Sequence, residues 1–523
     1  MSGRPSPYPF VAYLKATGLL VCLLVSGSLF SQQKASIQIQ HADSAVLDVA
    51  GRRNILLGHV RMRHDDFTMT CDTLYQYTEQ NYIEAFGHIH IVQNDTLNLW
   101  GDRLTYDGNT RLVKIRQNVT LQNQEVVLTT HFLDYDAFGR IGHYFNEGTL
   151  KDDASTLVSR TGYYYVDWDE AFFRDSVRVH TAEYDLHSDT LKYNTQSKIN
   201  TIVGPTTIYG ENRTLYSEDG WYNSLTSHAE LYKNNTLTYN EYLGKADTML
   251  VDSITATVVM KQNLHLYDTV NNVIVEGHYG EVYRNNDSAY VTIRALLTLV
   301  GKQDSLFLHS DTLFVVKDTA GNNLLKAYHR VKFFNPELQG IADSMSFPVA
   351  DSTIYLYAKS GEFPIVWAAG NQMTSTTIRL LLSNNQIDRF YLNEKAMIVN
   401  RLDTTQYNQI KGKDMIGYMR NNELYLVDVN GNGETLYYPD DKGVIIGLNK
   451  ATSSYLKIYL RERKVKDIVF INSVEGNLTP TFLVAPEERF LKDFMWLIEK
   501  KPAQKEDIFS SGPLPAEETT PTP

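Results

Sequence analysis

Cysteine is almost missing from this 523-residue sequence, which holds only two. Cys22 falls in an apolar N-terminal run, so Cys71 stands alone beyond it. A lone cysteine forms no intramolecular disulfide, and no metal-ligand spacing surrounds it. Positive charge is also short, with 49 Lys and Arg against 61 Asp and Glu, a formal net charge of −12. That balance excludes the basic surface needed to neutralise nucleic-acid phosphates. It argues equally against docking on anionic headgroups through a polybasic face. Past the N-terminus no stretch reaches 18 uninterrupted apolar residues, the length of a spanning helix. Nucleophile elbow, P-loop and dinucleotide fingerprint are absent too, so neither an enzyme nor a cofactor is expected.

What the sequence has in quantity is 34 Tyr and 31 Gly, with a surplus of Thr, Asn and Asp. Tyr, Thr and Val favour pleated strands, and Asn, Asp and Gly favour turns between them. The expected fold class is all-β. At the N-terminus, Arg4 and Lys15 precede an apolar run from Leu19 to Phe30, and Ser31-Gln32-Gln33-Lys34 follows. That order describes a secretory signal peptide over residues 1–31. Val21 precedes Cys22, which does not suit a lipoprotein signal.

An internal repeat organises the rest. One phrase is Asp-x-Leu followed by an aromatic, as in Asp72, Leu74, Tyr75 and Asp102, Leu104, Tyr106. A second is a turn such as Asp107-Gly108, a strong hairpin signal. A third is Gly or Asn before an alternating apolar pair: Gly58 with Val60 and Met62, Gly87 with Ile89 and Ile91, Asn118 with Val119 and Leu121. Gly58 to Gly87 is 29 positions and Asp72 to Asp102 is 30. The opening phrase returns at Asp189, Asp311 and Asp343, and the closing one at Val177-Arg178-Val179. Each repeat reads as two to three short strands. Beyond about Gly370 the phrase weakens, but alternation persists. Phe490, Leu491, Phe494, Leu497 and Ile498 have helical spacing behind Pro486, so residues 486–501 are expected to form an amphipathic helix that caps the stack. Residues 502–523, rich in Pro, Glu and Thr, are expected to be disordered.

Two constellations invite chemistry. His59, His64, His88 and His90 are close in sequence, but no Cys or fixed carboxylate completes a metal site, and a polar outer face is the expectation. The repeated Asp72, Asp102, Asp189, Asp311 and Asp343 could be catalytic carboxylates of a β-helical glycosidase. A residue recurring every repeat more often serves a turn or strand end.

The motifs Gly58-His59-Val60, Asp72-x-Leu74, Gly87-His88-Ile89-His90-Ile91, Gly101-Asp102-Arg103-Leu104-Thr105-Tyr106 and Asn118-Val119-Thr120-Leu121 resemble the OstA-like family. The likeness is strongest from about 37 to 150 and recurs more faintly to about 347. It is similar to the long OstA-like proteins of Bacteroidetes-type bacteria, without an obvious outer-membrane barrel after the repeats. The resemblance implies a stacked antiparallel β-jelly roll of V-shaped rungs in the periplasm, whose apolar trough shields the acyl chains of lipopolysaccharide on the way to the outer membrane. Lipid-facing candidates are Val60, Met62, Ile89, Ile91, Val119, Leu121, Val177 and Val179; each taken singly is more often closed core. Implied partners are lipopolysaccharide or lipid A, with inner- and outer-membrane transport components or a second copy joined by edge-strand addition. The alternative is a structural or assembly protein of the envelope with a closed β core and no lipid. The expected organisation is 1–31 signal peptide, 37–180 and 181–370 jelly-roll repeats, 371–485 further rungs, then the helix and tail. Roughly 16 rungs of ~30 residues, about 4.8 Å apart, would stack to about 75 Å.

Overall fold

A computed structural model describes residues 36–301, 304–383, 386–421, 423–441, 443–462 and 464–510. The expected signal peptide, and residues 511–523 of the expected tail, lie outside them. The described chain is nearly all β and runs as one antiparallel meander from Gln38 to Pro480. Each full crossing pairs with the crossing before it and the one after it, so all neighbours are close in sequence.

Every crossing bends in its middle, and the bend makes the rung V-shaped. In Tyr82–Gln93 the pairing register slips between Phe86 and Ile89, where Gly87 and His88 both take left-handed backbone angles (φ 74° and 42°). Tandem left-handed residues recur at Gly58-His59, Gln117-Asn118, Asn146-Glu147, Asp175-Ser176 and Gln262-Asn263. Two such residues in succession turn the strand and leave it paired on both sides. The halves on either side of the bend are arm 1 (Tyr82–Phe86 in this crossing) and arm 2 (Ile89–Gln93). In each arm alternate residues point inward, so the apolar residues of both arms meet in one core that runs from Ile37 to Ile458.

The repeat is therefore two crossings rather than two to three short strands. What reads as a strand start, Gly before an apolar pair, is the mid-strand bend. About 28 crossings are present among the described residues. At about 4.8 Å each they carry the hydrogen-bonded contour to about 130 Å, longer than the sequence-based estimate. Between residues 199 and 252 the bend interrupts the strands outright. There the pairing closes into a ring of ten strands, arm 1 passing through Ile199–Ile202, Asp219–Asn223, Ala229–Lys233 and Thr248–Asp252, and arm 2 through Thr206–Gly210, Arg213–Ser217, Asn235–Tyr239 and Tyr242–Ala246.

The expected C-terminal helix does not form. Residues 484–510 are an extended strap with 3₁₀ turns at Pro486–Arg489, Ile498–Lys500 and Lys505–Phe509. Two glutamines take the backbone groups that a helix would have used internally. Gln409 donates to the Arg489 carbonyl and accepts from Leu491 N–H, both at 2.8 Å, and Gln372 brackets Met495 and Leu497 in the same way. The strap covers the outer face of arm 2, burying Trp367, Met397, Val399, Leu436 and Leu448. It lies along the stack rather than capping its end. Residues 502–510, expected to be disordered, are ordered here: Ile508 is buried and Phe509 packs on His309.

Candidate functional site

The eight lipid-facing candidates occupy two equivalent inward positions just past the bend, all on arm 2. Val60, Met62, Ile89, Ile91, Val119, Leu121, Val177 and Val179 are each 0–1% exposed. In the same core are arm-1 residues that the sequence did not mark as lipid-facing, among them Ile83, Val113, Leu133 and Tyr135.

Aspartates hold several of the bends, among them Asp72 and Asp102 of the repeated set. Asp43 pairs with His59 (2.8 Å), Asp72 with His88 (2.7 Å), Asp102 with Asn118 (2.6 Å) and Asp247 with Asn263 (2.7 Å), each sixteen residues apart. At Gly58 and Gly87 a Cβ would lie 2.3 Å from the carboxylate oxygen of Asp43 or Asp72, and both take left-handed angles, so glycine suits the position; Gln117 and Gln262 hold it at the equivalent bends. These aspartates thus serve the mid-strand bend, and they are spread along the stack rather than gathered at one reaction centre. Their carboxylates push the His59 and His88 imidazoles above the ordinary value of 6.5, through the hydrogen bond first and charge second.

The four clustered histidines separate. His59 and His88 sit exposed at bends. His90 points outward, stacked on Trp100 at 4.8 Å and bonded to Asn98. His64 is buried and turned toward the far arm. Among the described residues no three His, Cys, Asp or Glu side chains gather as a metal site would require. Cys71 is buried, and burial pushes its thiol up to about 12.

The mouth of the V carries a feature that sequence reasoning missed. In the N-terminal half a ladder of polar contacts joins the tip of arm 2 to the tip of arm 1. His64 meets the Tyr106 hydroxyl at 2.7 Å, and the Tyr135 hydroxyl donates to Gln93 at 2.6 Å. Asn123 donates to Tyr164 at 3.2 Å, and Tyr193 donates to Asp152 at 2.6 Å. Tyr184 reaches Ser224 at 2.7 Å and packs edge-on against Tyr222. Ion pairs reinforce the clasp, Arg111 with Asp65 and Lys198 with Asp152 and Asp153. The signal was a tyrosine every 29 positions, at 106, 135, 164, 193 and 222, of which Tyr106 and Tyr193 stand in Asp-x-Leu-x-Tyr.

One period on, the clasp positions hold Gly210 and Val251, which have no polar side chain to offer. From there a set of partly buried apolar residues flanks the fully buried core: Leu237, Leu266, Val273, Val275, Val282, Leu299, Leu306, Leu325, Leu338 and Phe347, where no such residue lies between Ala42 and Leu237. The V is clasped in its first half and unclasped in its second.

A family model described as OstA-like protein matches residues 34–189. No curated protein matches the chain. Among solved structures it aligns with LptH, the LptA homologous periplasmic component of the conserved lipopolysaccharide transport device from Pseudomonas aeruginosa. That alignment has 16% identity and a TM-score of 0.14, and covers 26% of this chain and 79% of that one.

Proposed function

From the premise that residues 34–189 are OstA-like, we propose that this chain is an exported lipid carrier that shields lipopolysaccharide acyl chains between the two arms of its bent meander. The observation that carries this reading is the single apolar interior running from Ile37 to Ile458. A lipid tail laid along it stays among aliphatic side chains at every crossing, and burial stabilises it by about 25 cal/mol per Å² of apolar surface. No covalent chemistry is required. Among the described residues the two ends of the meander, 38–48 and 464–480, pair on one side alone. Transport components of the two membranes, or a second copy, would join by adding a strand there. The periplasm is the compartment that this role requires.

A second reading, an envelope assembly protein with a closed core, is favoured by the 0–1% exposure of the eight candidates. Depletion in growing cells separates the two. A carrier predicts loss of newly made lipopolysaccharide from the cell surface. Normal surface lipopolysaccharide with a dispersed outer-membrane complex would favour the assembly role.

A further inference from the structure

Building on the carrier reading, we propose that the lipid is held in the unclasped second half of the chain, outside the OstA-like match, with acyl chains along the lip formed by Leu237, Leu266, Val275, Val282, Leu306 and Phe347 and a phosphorylated headgroup on Arg284 and Lys317.

Three observations carry this. First, the polar clasp stops at Tyr184–Ser224 and Glu183–Ser227. Beyond it the next clasp positions hold Gly210 and Val251, and the partly buried residues that flank the core are apolar. Second, every crossing from 242 to 348 is hydrogen-bonded to a neighbour on both sides. The lip therefore has no free backbone groups for an added strand, and the occupant must be satisfied by apolar contact alone, as an acyl chain is. Third, the rim charges change. In the clasped half the arm-1 tip cations Arg111, Arg140 and Lys198 all pair with carboxylates. In the open half Arg284 sits in the arm-1 turn between Tyr283 and Ser288; its buried Nε has no partner, as is true of Arg140, but unlike Arg140 it makes no ion pair among the described residues. Lys317, at the next arm-1 turn, bonds only the Asn323 side-chain oxygen, at 2.8 Å. Neither has a carboxylate partner among the described residues. In a chain of net charge −12, two unpaired cations beside an aliphatic slot match an anionic headgroup above buried tails.

The test is photocrosslinking of the purified full chain with lipopolysaccharide micelles, using benzoylphenylalanine at Val275 or Leu306 in the open half and at Ile91 or Leu121 in the clasped half. Adducts at Val275 and Leu306, at least several-fold stronger than at Ile91 and Leu121, are expected. Adducts at Ile91 and Leu121 that equal or exceed them would overturn the location and leave the carrier reading standing. No adduct anywhere would sink the carrier reading itself, and the location with it. Arg284→Gln with Lys317→Gln should lower the yield at Val275 by about fivefold, the size expected of two solvent-exposed ion pairs; an unchanged yield overturns the headgroup assignment. Equal adducts from phosphatidylglycerol vesicles would overturn lipopolysaccharide as the occupant.

Discussion

Tyr135→Phe removes one hydroxyl from the clasp and nothing else. Tyr135 and Gln93 are 0% and 1% exposed, and the hydroxyl donates to the Gln93 oxygen at 2.6 Å. The amide nitrogen of Gln93 keeps its bonds to Asp66 and the Ala137 carbonyl, so the glutamine stays in place with its oxygen short of a donor. A buried acceptor left unsatisfied costs about 1–3 kcal/mol. We expect the lower half of that range, because the mouth lies near solvent. The loss should be local, since each crossing touches only its neighbours. Hydrogen exchange is therefore the right assay, because global unfolding of so long an array is not one two-state transition. Amides near Gln93 and Tyr135 should exchange about five- to thirty-fold faster, and those beyond residue 365 should not change. A double-mutant cycle with Gln93→Leu should return a coupling of about 0.5–1.5 kcal/mol. A coupling near zero, with exchange unaltered, would refute the clasp.

Other consequences are as direct. Ending the chain at Pro480 removes the strap and uncovers Met397, Val399, Leu436 and Leu448. Each loses about 1.5–3 kcal/mol of burial, so exchange protection should fall in 371–374, 396–401 and 407–412 while 53–165 keep theirs; uniform protection throughout would contradict the strap's role. By proton NMR, His59 and His88 should titrate above 6.5, and Asp72→Asn should bring His88 down. Because these folded-state values are raised, the bend contacts contribute fully below the ordinary value and weaken as pH rises through the raised one; a midpoint at or below 6.5 would remove the pairing. Cys71 should resist iodoacetamide at pH 8 in the native chain and react once urea unfolds it, because burial keeps its thiol protonated.

How much was legible depended on how local the physics was. Alternation along single strands marked the eight arm-2 candidates, and all eight are buried. The aspartate repeat was legible as a structural device, but Gly58 and Gly87 were misplaced. A mid-strand bend and a strand start use the same left-handed residues, and only pairing on both sides tells them apart. The clasp was invisible because Gln93 and Tyr135 meet across 42 positions, a spacing set by the V rather than by any strand or helix period. The strap misled for a related reason. Phe490, Leu491 and Phe494 have helical spacing, but Gln409 and Gln372 hold the segment's backbone at Arg489, Leu491, Met495 and Leu497 from 80 to 125 residues away. Tertiary bonding of that kind overrides local periodicity.

The central claim is that this meander carries a lipid between its arms, and native mass spectrometry of the protein taken gently from cells tests it most directly. The account predicts a population heavier than the chain by one phosphorylated, multiply acylated lipid, released on activation and chemically identifiable as lipopolysaccharide or its lipid A part. A bare chain mass alone, under conditions that keep the ligand on a known lipid carrier, would contradict it.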